Sequence, residues 1–291
     1  MDVFWQTLVA GILKGGLYAL IGIGMTLIMG VMGIINLAQG QLMMVSMYIT
    51  YVLFSALRID PYLSLAIAMP ALFLLGVLIQ KYLLNPLLKV DTILPHNQVL
   101  MTVGIGMVLT EVIRFIFKSD YRSVSTTYSN QTFFLGHISF SVALTVAFGI
   151  AVIFTLGMFV FLMKTDLGRS IRATAQDKEA ATLMGVNTGR ITIITFGLGS
   201  ALAACAGTLL APVFYIFPDI GGPFTSKAFV ITILGGLGST VGAIFGGLTL
   251  GIAESLGSTY LGMDYENIIG MVIFVGVLVF LPSGFKRLTK V

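Results

Sequence analysis

The chain has 291 residues, 57% of them hydrophobic and only 10% charged, with a formal net charge of +4 and a mean hydropathy of +1.01. Soluble domains carry about 25% charged residues, so a water-soluble globule is excluded and the chain reads as an integral membrane protein. Its apolar runs are continuous and roughly 20 residues long, the length of a spanning helix, without the period-two alternation of a membrane barrel. The expectation is an all-α, polytopic helical membrane protein with about eight hydrophobic segments, one or two of them broken or re-entrant, in a single membrane domain over 1–291.

The first run, near 3–33, is longer than one ordinary span and contains "LKGG" at 13–16. A Lys at the bilayer centre costs about 2.5–3.5 kcal/mol on insertion scales, so Lys14 is expected at a helix end near an interface. The opening "MDVFWQTLVAG" has neither a basic flank nor an A-x-A-like site, and no cleaved signal peptide is expected. Next, "GIINLAQGQL" sets the amides of Asn36, Gln39 and Gln41 among apolar neighbours. Runs near 37–57, 62–84, 97–117 and 138–163 follow, separated by loops at 85–96, with two prolines, and at 118–137, rich in Ser, Thr and Asn. Glu111 and Arg114 share one face of run 97–117 at i, i+3 spacing. Intramembrane ionisable groups are functional suspects. These two lie close to Lys118 and an interface, where snorkelling is the plainer reading.

The stretch "GRSIRATAQDKEAATLMGVNTGR", 168–190, carries six charged residues in 23. Thr174 and Asp177 make an [ST]-x-x-[DE] capping pattern, Ala175 to Met184 are mostly helix formers, and Gly185 stands at a C′ position. One short polar-faced helix, about 15 Å long, is expected here. Runs near 191–211, 227–256 and 267–282 complete the chain. Small residues recur every four positions at Gly238, Gly242 and Gly246, at Gly247 and Gly251, and at Gly199, Ala203 and Gly207; such stripes are expected to pack helices closely. Cys205 is the one cysteine, so an internal disulfide is excluded.

Charge sets the orientation. Segment 164–190 is rich in Lys and Arg, and the tail holds Lys286, Arg287 and Lys290 without an acid. The segment 254–266, read as a loop, holds Glu254, Asp264 and Glu266 without a base. The first two are expected in the cytoplasm and the third outside. Three runs between two cytoplasmic regions violate parity, so one must fold back. Run 227–256 is the candidate, through Gly235, Gly236 and Gly238, because each helical glycine costs about 1 kcal/mol. Non-helical backbone at membrane depth must be covered by protein or line a cavity. Two Gly-bearing breaks, one in each half, point to a midplane path between suspected structural repeats. Asn36, Gln39, Gln41, Gly235, Gly236 and Gly238 are its candidate lining residues.

No G-x-x-x-x-G-K-[ST], H-E-x-x-H or G-x-S-x-G occurs, and His96 and His137 stand 41 apart. No catalytic residue, metal site or chain-bound cofactor is expected, and no aromatic-basic patch suggests nucleic acid. An ATPase-independent secondary transporter stays open; it would require a buried acid, and Glu111 is the one offered.

"EAATLMG", Glu179 to Gly185, matches the E-A-A-x-x-x-G signature by which ABC importer permeases dock on their ATPases. "GGLYALIGIGMTLIMGVMGIINLAQGQLMMVSMYITY", "GRSIRATAQDKEAATLMGVN" and "AFVITILGGLGSTVGAIFGGLTLGIAE" resemble, in that order, branched-chain amino acid importer permeases of the LivH type. The resemblance implies a multi-pass permease in a bacterial or archaeal cytoplasmic (inner) membrane, importing leucine, isoleucine and valine. It also implies two cytoplasmic ABC ATPase subunits that use ATP, a second related permease in a heterodimer, and an extracytoplasmic substrate-binding protein. Coupling would run through segment 164–190 by way of Arg169, Arg172, Asp177, Glu179, Ala180, Ala181 and Gly185. The pattern departs at Gln39 and Gln41, where the family often carries a His and an acid. Another amino acid, an amide or urea, an aromatic acid, or a sugar or nucleoside therefore stays open as the solute.

Overall fold

The structure, a computed structural model, describes residues 2–88, 95–126, 128–129, 131–135, 138–262 and 265–280. His137, Asp264, the basic tail and part of loop 85–96 lie outside the described residues. Twelve helices appear among those described: α1 (Asp2–Met32), α2 (Gln39–Leu57), α3 (Leu65–Ile79), α4 (Asn85–Leu88), α5 (Pro95–Phe117), α6 (Val142–Lys164), α7 (Asp166–Gln176), α8 (Lys178–Leu183), α9 (Thr188–Leu210), α10 (Gly221–Gly235), α11 (Thr240–Tyr260) and α12 (Glu266–Phe280). A π-helical turn, Gln80–Leu84, joins α3 to α4. Among the described residues seven helices are long and apolar enough to cross a membrane: α1, α2, α3 with its π turn, α5, α6, α9 and α11.

The glycines and alanines decide the packing. A Cβ on Gly11 would lie 2.7 Å from Ile252 Cα, one on Gly15 2.8 Å from Leu248 Cα, and one on Gly247 2.6 Å from Ala19 N. Rising numbers on α1 meet falling numbers on α11, so the two run antiparallel at backbone contact. Gly199 brings α9 against the Gly24 carbonyl in the same way, and Gly207 meets Ser46 on α2. The small-residue stripes are thus the seams of the fold, with α1 and α9 the most deeply buried spans. Leu17, Tyr18, Leu20 and Ile21 of α1 and Ala203 to Ala206 of α9 are almost fully buried.

Those seams overturn two expectations. Run 3–33 is one unbroken helix, and Lys14, half-buried within it, marks no helix end. Gly15 and Gly16 are not a break: Gly15 admits α11 and Gly16 admits the Phe148 ring, and close packing offsets the propensity that glycine loses. Likewise Glu254 lies not in a loop but deep in α11, 1% exposed.

Run 227–256 does fold back at its glycines. α10 and α11 form an antiparallel hairpin in which Gly235 and Gly242 meet backbone to backbone. Gly236 and Gly238 take φ values of 84° and 79°, the left-handed region open to glycine. The turn sits at the end of the bundle that carries α7 and α8, beside Gly30. The N-terminus sits at the other end, where Thr7 Oγ1 lies 3.2 Å from Thr259 Oγ1.

That far end also holds the one two-stranded sheet among the described residues. β1 (Thr132–Leu135) pairs antiparallel with β2 (Ile138–Ser141), from Thr132↔Ser141 to Leu135↔Ile138. The "ISFS" at the head of run 138–163 is therefore strand, alternating with period two, and Phe140 stacks on Phe133 at 5.1 Å. Ser141 then caps α6 by accepting from Leu144 N. Nearby, Tyr128 donates to Asp60 at 2.8 Å and Tyr62 to the Ala143 carbonyl at 2.8 Å. Burial first, then Asp60, raises both phenol pKa values above their usual 10.0.

Candidate functional site

The polar island is two helices and not one. Thr174 sits inside α7 and donates to the Ser170 carbonyl. The cap is Asp177, whose extended backbone (φ −154°, ψ 109°) ends α7 and whose carboxylate accepts from Glu179 N and Ala180 N, each at 2.9 Å. A carboxylate placed there outcompetes continued helix, because it satisfies two otherwise orphaned donors. At the far end Gly185 takes φ 85°, with Gly185 N donating to Thr182 O and Val186 N to Ala181 O, the paired bonds of a Schellman stop. Ala181 alone of α8 is buried. Glu179 and Ala180 face outward, and Leu183 and Met184 are 88% and 85% exposed. Large apolar side chains so exposed, beyond the spans, are the signal that charge counting missed.

α7 ties this element to the bundle. Arg169 pairs with Asp166 on the surface, while Arg172 donates to the Leu162 carbonyl at the end of α6. Arg172, Ala175, Gly30 and Gly238 line a cavity of about 490 Å³ between the island, α1 and the α10–α11 turn. A move of α7 therefore bears directly on the ends of α1, α6 and α11.

The break between α1 and α2 is real, and its amides are fastened inside protein. Gly33 turns the chain with φ 69°. Asn36 Oδ1 accepts from Ala38 N at 3.1 Å and its Nδ2 donates to Gln39 Oε1 at 3.1 Å. Gln39 Nε2 donates to the Gly199 carbonyl at 3.1 Å. Both side chains are fully buried, so α2 starts within the bundle, against the middle of α9. Gln41 differs: it accepts from Thr225 Oγ1 at 3.1 Å and lines an open cavity beside Arg114 and Asp219. Arg114 bridges Glu111 at 2.5 Å and Asp219 at 2.8 Å. Sequence distance hid Asp219, 105 residues away. The structure does not bring the two sets of candidate path residues together: Gly40 and Gln41 meet the start of α10, Gly235 to Gly238 its end.

One site escaped sequence reading altogether. Lys227 Nζ lies 2.6 Å from Glu254 Oε2 and 3.1 Å from the Tyr18 hydroxyl, over the Tyr18 ring at 4.8 Å. The acid that Glu111 seemed alone to supply is thus Glu254, buried but matched by a cation. Its signal was the placement of the two charges near the ends of one apolar run, which meet when the run folds at its glycines.

Among the described residues no cluster of His, Cys, Asp and Glu could hold a metal ion.

Residues 7–281 match the family described as branched-chain amino acid transport system / permease component. The chain is 32% identical to the high-affinity branched-chain amino acid transport system permease protein LivH of Escherichia coli, over 97% of its own length and 94% of the relative's. It is 30% identical to the corresponding protein BraD of Pseudomonas aeruginosa, over 97% and 95%. A shorter match, 33% identical over 42% of this chain and 36% of the relative, is the autoinducer 2 import system permease protein LsrC of Yersinia enterocolitica. Among solved structures, PsaBC from Streptococcus pneumoniae in complex with Fab aligns with a TM-score of 0.51 at 12% identity, over 99% of this chain and 95% of that one. That likeness is one of fold alone.

Proposed function

The chain belongs to the branched-chain amino acid transport permease family, and we propose on that premise that it is the membrane permease subunit of a binding-protein-dependent ABC importer of leucine, isoleucine and valine. The observation that carries the reading is the capped, charged α7–α8 element, presenting Leu183 and Met184 bare to solvent. Exposed apolar patches mark partner surfaces. The partner is a pair of ATPase subunits, which bind and hydrolyse the ATP. The small Ala180 and the αL turn at Gly185 let α8 lie close in a cleft, while Asp177, Glu179, Arg169 and Arg172 fix its angle. Closure of the ATPases then pushes α7 against the ends of α1 and the α10–α11 turn. A binding protein delivers the solute at the opposite end, and a second, related permease completes the path. The assembly resides in the cytoplasmic (inner) membrane of a bacterium or archaeon, island inward, as the excess of Lys and Arg in 164–190 supports.

A second reading keeps the importer and changes the solute. Gln39 and Gln41 depart from the family's usual residues, and a relative that matches over part of the chain is named for autoinducer 2 import.

Reconstitution in liposomes with the ATPases and the binding protein tests both. Leucine should stimulate ATP hydrolysis and enter the vesicles, and Glu179→Lys should abolish the stimulation. Stimulation that survives Glu179→Lys overturns the docking assignment. Uptake of some other solute, with leucine ignored, overturns the substrate.

A further inference from the structure

A cavity of about 380 Å³ opens between the first turn of α2, the later half of α5 and the start of α10. Its size lies in the range of small-molecule sites, and its walls differ in chemistry. Val103 and Met107 of α5 supply an apolar side; Gln41, Thr225 and the Glu111–Arg114–Asp219 triad supply a polar one. Met107 is 65% exposed. Arg114 belongs to a helix segment long and apolar enough to span, where charged groups need partners or water.

We propose that this cavity is a contact site for the zwitterionic head and apolar side chain of an α-amino acid on its way through the permease; this rests on the amino acid reading given above. Arg114 now divides its guanidinium between two acids. A solute carboxylate takes the Arg114 edge that faces Asp219, as a bidentate partner, and the solute ammonium takes Asp219 in its place. One ion pair becomes two, and neither Arg114 nor Asp219, both partly open to the cavity, is left without a partner. A zwitterion brings no net charge. A solute with only a carboxylate brings a third anion to a site that already holds two acids. A solute with only an ammonium satisfies Asp219 and gains nothing from Arg114. The branched side chain then lies along Val103 and Met107, and Gln41 with Thr225 closes the α2–α10 side.

The test uses the reconstituted complex with binding protein and ATP. Cys205 is buried, so Met107→Cys supplies an accessible reporter thiol on an exposed, volume-tolerant position. Leucine should slow its modification by a charged methanethiosulfonate severalfold during turnover, 3-methylbutylamine less, and 4-methylvalerate not at all. In the same background Asp219→Asn and Arg114→Gln should remove the protection and raise the half-saturating leucine concentration for uptake about tenfold, with partial recovery in Arg114→Lys. Equal protection by 4-methylvalerate, or protection unchanged in both variants, overturns the site. So does a complex that imports leucine while the thiol reacts at the same rate throughout. A wild-type complex that imports no amino acid overturns the substrate reading instead, and the two failures are separate in the data.

Discussion

At the level of single residues, the Lys227–Glu254 pair is the feature with the largest energetic stake. Its side chains are 11% and 2% exposed, so both charges are removed from water. Stripping one partner from a buried pair costs about 3–5 kcal/mol, whereas replacing both with apolar groups is often neutral. Lys227→Met should therefore lower the melting temperature of the purified protein sharply, and Lys227→Met with Glu254→Leu should recover most of the loss. A double variant no more stable than the single one would mean that the pair is not what holds α10 to α11. The charges were visible in the sequence; their meeting was not, because it depends on where the chain between them bends. Thr174 shows the reverse. The capping pattern of Thr174 and Asp177 was legible, but the cap went to Asp177, whose carboxylate reaches two free N–H groups at once.

Among elements, the glycine stripes were read correctly as packing surfaces, while the glycines of "LKGG" were misread as punctuation. Gly251→Ala puts a methyl group against Gly15 Cα and the Gly11 carbonyl, so α1 and α11 must part. Gly104→Ala, on α5 with nothing within 4 Å, should be neutral or stabilising by up to about 1 kcal/mol through helix propensity. Thermal melts of the two variants side by side check this; equal effects would deny that backbone contact sets the α1–α11 seam. The island makes a different demand. Leu183→Asp changes a side chain that is bare in the chain alone, so its melting temperature should stay put. Its solute-stimulated ATPase rate with the partner subunits should fall at least tenfold. A full rate would remove Leu183 from the docking surface.

For the whole molecule, the order of passes is set by contact. α1 starts at the end of the bundle opposite the island and finishes beside it, since Thr7 meets Thr259 and Gly30 meets the turn at Gly238. With the island inward, the N-terminus faces out. A membrane-impermeant maleimide should label Val3→Cys in intact cells and Leu183→Cys only after permeabilisation. Labelling of both from the same side would break this arrangement. The side of the N-terminus depends on whether 30–41 re-enters the bundle, which distant contacts decide. Asn36 and Gln39 make it re-enter by bonding across to α2's own start and to Gly199, 160 residues away from Gln39.

Composition and run length alone determined that this is a helical membrane protein, because oil of that length has few ways to satisfy its backbone in lipid. Glycine chemistry, with the parity of the charged segments, placed the break at Gly235–Gly238, and glycine chemistry placed the stop at Gly185; Gly236, Gly238 and Gly185 take left-handed backbone, which strains a residue with a Cβ. Tertiary structure decided the rest: that α1 is one helix, that Glu254 is buried and paired, and that Gln41 and Arg114 share a cavity. Each of these depends on partners more than ten residues distant, and one-dimensional spacing carries no record of which distant surfaces come to touch.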